Sequence, residues 1–325
     1  MRVLMFGRGT IATIYGWVLQ GAGHDVEFYV RPGRAAEYGD DVRLDVIDAR
    51  RSPVGRRVRE SLSTTLRESF GPEDGFDLIV ISVAHHRLAE AAALVAPRLG
   101  QATVLVFGNI WQEPLAAVAP LPADRVVFGF PFGGGGFDGD GVLHGALFRS
   151  VIVGVAGASP SRQELEVGAA LRQGGLSVRH ERDMRGRLFV HFASDAGMFG
   201  QGVRSGGLAK MIGDRRAFRE AFLASRELIP LLKARGVDLR LHGGSMVPYR
   251  FPRLFAALTA WATVLSPIAR VSLASHTDPG AAEPRAVLED TLREARRWGI
   301  PAPRLESAIT ALGDRPPQPV RPAVS

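Results

Sequence analysis

The N-terminus constrains this chain more than any other stretch. Val3, Leu4, Met5 and Phe6 form an unbroken apolar run, and Gly7-Arg8-Gly9-Thr10-Ile11-Ala12 follows without a spacer. Ile11, Ile14, Tyr15, Val18 and Leu19 then recur at helical spacing. An apolar run of this kind is a strand buried on both faces of a parallel sheet. Strand, tight turn and helix therefore succeed one another at once. In this G-x-G-x-x-A order Gly7 permits the turn, Gly9 lets backbone approach a pyrophosphate, and Ala12 lets the helix pack close to the strand, with the helix's first amides facing the anion. The pattern predicts a dinucleotide site formed by Gly7, Arg8, Gly9, Thr10, Ile11 and Ala12.

A second strand, Asp25-Val-Glu-Phe-Tyr-Val30, arrives where a βαβ unit needs it. Enzymes of this fold that bind NAD usually carry an acidic residue at the end of that strand for the ribose hydroxyls. Here Arg31-Pro32-Gly33-Arg34 stands there instead, and a guanidinium suits a 2′-phosphate. The expected cofactor is NADPH/NADP+, with Arg31 as its phosphate ligand.

The chain has 325 residues, enough for two domains with sizeable cores. With no cysteine, neither a disulfide framework nor a thiolate metal site is possible, and with no basic-then-apolar leader the expected location is cytoplasmic. The net charge of +7 raises nucleic acid as a partner, yet the basic residues are scattered among acids and their densest cluster, Arg50-Arg51 with Arg56-Arg57, lacks interleaved aromatics. Solvated surface explains them better. The longest apolar stretch, Leu254 to Ala274, is interrupted by Pro267 and Arg270, so it reads as a buried or interfacial helix, completing the core or forming a homodimer contact, and not as a membrane span.

Further along, the segments around 42–47 and 54–62 suggest short extra strands, or a strand and an irregular connection. Phe76–Val83 is another buried strand, followed by a helix from about His86 to Leu99, and strands follow at 103–107 and 126–130. Ligands lie beyond the carboxyl ends of such strands, so Val83-Ala84-His85-His86, Gly108-Asn109-Ile110-Trp111 and Pro131–Gly136 are expected site walls. Gly133–Gly136 reads as a hairpin turn or a mobile lid. Val142–Gly145 and Ser150–Val155 read as a hairpin closing the domain, and Ser159-Pro160 as the start of a helix running to Gln173. From about residue 182 the period is helical: 183–200, 215–235, 252–265 and 283–298. The expected architecture is an α/β, Rossmann-type parallel-sheet domain over 1–175, a mostly α-helical domain over 176–313, and a disordered Pro-rich tail over 314–325.

Together, Gly7–Ala12, Gly23–Arg31, Asp77–Val83, Asn109 and Gly299-Ile-Pro-Ala-Pro303 resemble the ketopantoate reductase family. The resemblance implies NADPH-dependent reduction of a 2-keto acid or related carbonyl, a cofactor or substrate contact from Asn109, and a substrate contact from Glu283, which opens the last long helix. Two departures stand out. Ala84 occupies the place of one family lysine, and Arg187 the place of the lysine that protonates the new alkoxide. Two family asparagines become His191 and Asp195.

Arg187, His191 and Asp195 are spaced four apart and line one helical stripe. A guanidinium binds anions but does not readily give up a proton. An imidazole, with an ordinary pKa of about 6.5 and oriented by a carboxylate, serves as acid or base near neutrality. The competing reading is an ordinary salt-bridge stripe. Other candidates carry similar pairs of readings. His85 or His86 contacts cofactor or substrate, with no carboxylate motif to make them a metal site. Asn109 binds ribose or fixes its own turn, and Trp111 walls the site or packs the core. His276 lies in a turn, and Glu283 suits a helix dipole as well as a substrate.

These residues predict an NADPH-dependent oxidoreductase that transfers hydride to a carbonyl or imine of a small substrate other than ketopantoate. The alternative is a non-redox cyclase or isomerase, or a regulatory protein, that keeps the cofactor fold.

Overall fold

The structure is a computed structural model that describes residues 1–156, 160–274 and 282–313; the expected tail and His276 lie outside these residues. The chain divides into two compact units, one built from Met1–Gly108 with Gln112–Met184, the other from Asn109–Trp111 with the chain beyond Arg185.

The first unit runs β1 (Arg2–Phe6), α1 (Thr10–Gly21), β2 (Asp25–Tyr29), α2 (Ala35–Tyr38), β3 (Asp41–Asp48), β4 (Arg56–Ser63) and β5 (Thr65–Arg67). It continues with β6 (Leu78–Ile81), α3 (Leu88–Val95), β7 (Thr103–Phe107), α4 (Pro114–Ala117), β8 (Val126–Phe137), β9 (Leu143–Gly154), α5 (Arg162–Gln173) and β10 (Ser177–His180). All ten strands share one sheet in the order β4-β3-β9-β8-β7-β6-β1-β2-β5, with β10 also pairing β9. From β5 to β8 every pairing is parallel. This half is the Rossmann arrangement expected from the N-terminal run. β6 and β7 are buried at every position, as unbroken apolar runs require. Ile14, Tyr15, Val18 and Leu19 of α1 pack with Met5, Phe28 and Phe107 of the sheet and with Val167 and Leu171 of α5 in one core.

Three expectations change in this unit. Gly133–Gly136 is neither turn nor lid, because it lies inside β8, paired antiparallel with Leu147–His144 of β9. A Cβ at Gly135 would lie 2.4 Å from the His144 carbonyl oxygen, and one at Gly145 would lie 3.0 Å from Ile14 Cδ1. Only glycine lets these strands and α1 approach so closely. Leu143–Gly154 likewise forms one strand and not a hairpin; the true turn is Asp138–Val142, where the Asp138 carboxylate accepts the amides of Asp140 and Val142 at 2.9 Å each. Finally, Ser177–His180 extends the sheet as β10, so the first unit reaches Met184 and passes the expected boundary at 175. The cap of α5 is Ser161, whose hydroxyl accepts the Glu164 amide at 3.1 Å.

The second unit comprises α6 (Met184–Ser205), α7 (Arg215–Glu227), α8 (Ile229–Ala234), α9 (Gly243–Arg250), α10 (Pro252–Leu265), α11 (Pro267–Ala274), α12 (Ala282–Arg297) and α13 (Pro303–Leu312). The single helix expected over 215–235 is broken at Leu228, because Pro230 lacks the amide that a continuous helix needs. In α6, Phe189, Phe192, Ala193 and Ala196 point into a core completed by Leu228, Leu231, Leu288 and Leu305. α6 crosses α7 at Gly197, where a Cβ would lie 2.1 Å from Ser225 Oγ and 2.6 Å from the Ala221 carbonyl oxygen. Among the described residues no single helix is long and apolar enough to cross a membrane; the successive helices α10 and α11 bend by 99°.

Candidate active site

In the first unit the site is built at the end of β1. This strand lies between β2 and β6, where the connections diverge to opposite sides, which is the ligand-binding crevice of a doubly wound sheet. Gly7 turns the chain with φ +100°, and its amide donates to the Tyr29 carbonyl at 2.9 Å. Gly9 is the N-cap of α1; no side chain caps the helix and no acid occupies its first turn. The first intrahelical bond is Thr13 N–H to the Gly9 carbonyl, 2.8 Å. The amides of Thr10, Ile11 and Ala12 therefore precede the helical ladder. A Cβ at Gly7 or Gly9 would meet nothing within 4 Å, whereas Ala12 is wholly buried. The space in front of the helix is open and electropositive, and it fits the diphosphate of a dinucleotide.

The neighbouring loops bring the expected walls to the same end of the sheet. Thr10 Oγ1 lies 3.5 Å from the Gly135 carbonyl of β8. Val83 and His85 follow β6, and the Gly108 Cβ position after β7 lies 4.0 Å from the Val83 carbonyl, so these two loops adjoin. The rings of His85 and His86 stand perpendicular, 5.8 Å apart, and face different directions. No cluster of three or more metal-ligating side chains occurs among the described residues.

Beyond β2, Arg31 is exposed, and its side chain has no hydrogen bond or ion pair among the described residues. The structure adds residues here that the sequence did not single out. The Tyr38 ring is flanked by two guanidiniums, Arg8 Cζ at 4.8 Å and Arg34 Cζ at 5.1 Å from its centroid. Burial pushes the Arg8 guanidinium down, partly offset by Tyr38 and Asp41, and its Nη2 donates to the Asp41 carbonyl at 2.9 Å. Glu68 accepts the Ala35 amide at 2.8 Å; this bond and those from Gly33 and Arg34 hold its carboxyl below the usual carboxylate range. The loop carrying Arg31 is thus anchored from β5.

In the second unit, α6 presents Arg187, His191 and Asp195 as one half-buried stripe, as their spacing predicts. His191 Nε2 lies 3.1 Å from Asp195 Oδ2. The same oxygen accepts from Asn109 Nδ2 at 2.8 Å. Asn109, expected to contact cofactor or substrate, is therefore joined to the Arg187-His191-Asp195 stripe. Arg187 Nη1 donates to Ser245 Oγ on α9 at 2.9 Å. Beneath the stripe lies Tyr249, which the sequence reading missed. Burial pushes its phenol up, Asp195 adds to the effect, and hydrogen bonds with Ser194 and Ser225 and the charge of Arg187 offset part of it. Tyr249 is consequently a neutral phenol at working pH. Trp111 packs in the core, stacked on Phe192 at 5.0 Å with Arg235 Cζ 4.2 Å from its centroid. Glu283 lies half-buried in the first turn of α12.

With this geometry in place, residues 3–157 match the family model described as ketopantoate reductase PanE/ApbA. This N-terminal part of the chain is similar to that family. Solved structures similar to the whole chain include a 2-dehydropantoate 2-reductase from Geobacter metallireducens GS-15, at 20% identity and TM-score 0.66, covering 96% of this chain and 99% of that one. A D-mandelate dehydrogenase complex with NADH is 14% identical at TM-score 0.68, covering 96% and 97%. The 2-dehydropantoate 2-reductase from Porphyromonas gingivalis W83 is 13% identical at TM-score 0.65, covering 96% and 99%. At these identities the likeness is one of fold, and it covers 96% of this chain, the helical unit included. The comparison with curated proteins gives no match.

Proposed function

We propose that the protein is an NADPH-dependent reductase that delivers hydride to the carbonyl or imine carbon of a small substrate other than ketopantoate. The observation that carries this reading is the uncapped N-terminus of α1, open above Gly7 and Gly9 at the switch point of a sheet whose residues are similar to the ketopantoate reductase family. The amides of that turn, with Thr10 and the loops at Val83 and His85, bind and orient the dinucleotide. Arg31 reads its 2′-phosphate through a charge-assisted contact. When bound, the reduced cofactor supplies the hydride, and a proton completes the conversion of C=O to CH–OH.

The helical unit supplies the substrate side. Arg187, steadied by Ser245, neutralises an anionic or polar substituent. Asp195 holds a proton on His191 Nε2, leaving Nδ1 as the nitrogen that hands the exchanged proton to the alkoxide. Asn109 keeps the Asp195 carboxylate in place, and Tyr249 stays beneath it as an uncharged donor. Glu283 contributes a substrate contact. The substrate differs from ketopantoate because the proton-donating lysine of the family is replaced by Arg187 and the second lysine by Ala84. A cytoplasmic location and self-association through the helical unit belong to the same reading.

The test is consumption of NADPH at 340 nm by the purified full chain against a panel of 2-keto acids, 2-keto esters and cyclic imines. The proposal expects turnover with at least one member and its loss in His191→Ala. Tight NADPH binding without consumption across the panel would instead assign the site to a non-redox role.

A further inference from the structure

Asn109-Ile110-Trp111 packs with the helical unit, although the chain on either side of it belongs to the first unit. This short segment meets α6 at two points. Asn109 Nδ2 donates to Asp195 Oδ2, and two residues later Trp111 lies on aromatic side chains of the same helix. The indole stacks on Phe192 at 5.0 Å, with 20° between the ring planes, and meets Phe189 edge-on at 5.8 Å. Phe192 follows His191 in the chain and precedes Asp195 by three residues, so these contacts sit on the turn of helix that carries the stripe. Trp111 is 6% exposed, and its indole N–H is buried with no hydrogen-bond partner among the described residues. A buried tryptophan usually finds such a partner. Ring contacts hold this one instead, and a cation completes them. Arg235 Cζ lies 4.2 Å from the Trp111 centroid and 3.9 Å from that of Phe189, both within cation–π reach. Arg235 is itself held, since Arg185 Nη2 donates to its carbonyl at 3.0 Å and Arg185 Cζ lies 4.7 Å from the Phe189 centroid.

We propose that Trp111 and Arg235 are positioning residues for His191, a proposal that rests on the functional reading above, in which His191 is the acid. The Arg235 guanidinium and the rings of Phe189 and Phe192 lock Trp111 in place. Trp111 in turn fixes where Asn109 stands, two residues earlier. Asn109 then holds the Asp195 oxygen that keeps the proton on His191 Nε2. Neither Trp111 nor Arg235 belongs to the stripe. Both act on the tautomer and orientation of the imidazole through Asn109, which a packing role alone would not do.

The experiment reads the tautomer of the neutral His191 ring in the full chain by long-range proton–nitrogen NMR correlation, without substrate. Its signals are assigned by their loss in His191→Ala, and NADPH titration and steady-state turnover are measured alongside. The wild type is expected in the Nε2–H form. Arg235→Gln, which removes the charge, and Trp111→Leu, which removes the ring, are each expected to raise the Nδ1–H fraction at least threefold. They are also expected to lower kcat about tenfold or more, with KM and NADPH affinity unchanged. Arg235→Lys and Trp111→Phe, which keep a cation and a ring, are expected to restore most of both. In the double variant Asn109→Ala with Arg235→Gln, the tautomer shift is expected to equal that of Asn109→Ala alone. An unchanged tautomer in both Arg235→Gln and Trp111→Leu overturns the proposal even where turnover falls, because that fall would report packing. A wild type already in the Nδ1–H form overturns it as well, as do additive shifts in the double variant, which would give Arg235 a direct effect on the imidazole. A tautomer that follows these substitutions in a chain that reduces no substrate supports the positioning role and removes the reductase reading, so the two fail separately.

Discussion

In the proposed reaction His191 is the acid that the chemistry turns on. Its Nε2 and the Asn109 amide meet on one oxygen of Asp195, an arrangement that fixes a tautomer and an orientation. General acid catalysis of this kind contributes roughly 10²- to 10⁴-fold. His191→Ala is therefore expected to lower kcat by about 100-fold or more, with a changed pH profile of turnover and NADPH affinity unchanged; an unaltered profile would remove His191 from the mechanism. Arg187→Ala is expected to raise KM more than it lowers kcat, because the guanidinium binds and does not titrate. A steady-state comparison of the two parameters decides that. The Arg187-His191-Asp195 stripe was legible because helical spacing puts residues four apart on one face. Asn109 joining it was not, because that contact spans 86 residues of sequence. Tyr249 was not, because a buried aromatic in a helix reads as packing until its hydroxyl partners are known. The stacking of Arg8 and Arg34 on Tyr38 was hidden for the same reason.

Among the elements, the first strand, its turn and α1 follow directly from the sequence, since an apolar run and a 3.6-residue period leave little else to form there. The glycine run was misread because glycines report freedom of the backbone without saying what fills the space. In β8 the space is filled by the neighbouring strand and by α1. Gly135→Ala should thus force backbone apart at the His144 carbonyl and cost about 1–3 kcal/mol, read as a lower urea midpoint. A midpoint within error of wild type would contradict the close approach. The crossing of α6 and α7 is tighter still. Gly197→Ala meets Ser225 Oγ and the Ala221 carbonyl, and it is expected to destabilise by a similar amount and to perturb turnover, because the same helix carries His191. The two strands expected at 142–155 became one for a related reason: pairing with β8 decides where a strand ends, and local composition does not see the partner.

At the scale of the molecule, the chain joins a Rossmann-type unit, whose residues 3–157 are similar to the ketopantoate reductase family, to a helical unit whose stripe lacks the lysine that the family resemblance leads one to expect. The fold class was readable because each half has its own periodicity. The boundary was not, because β10 adds a strand to the first unit after the point where composition turns helical. The central claim is that the open turn at Gly7 and Gly9 holds a dinucleotide and that Arg31 selects its 2′-phosphate. Titration of the wild type and Arg31→Glu with NADPH and NADH, followed by tryptophan fluorescence, tests both parts together. A charge-assisted contact of about 1.5–3 kcal/mol predicts that NADPH binds the wild type roughly 10- to 100-fold more tightly than NADH and that Arg31→Glu erases the difference. Equal affinity for the two cofactors in the wild type, or binding of neither, would contradict the account.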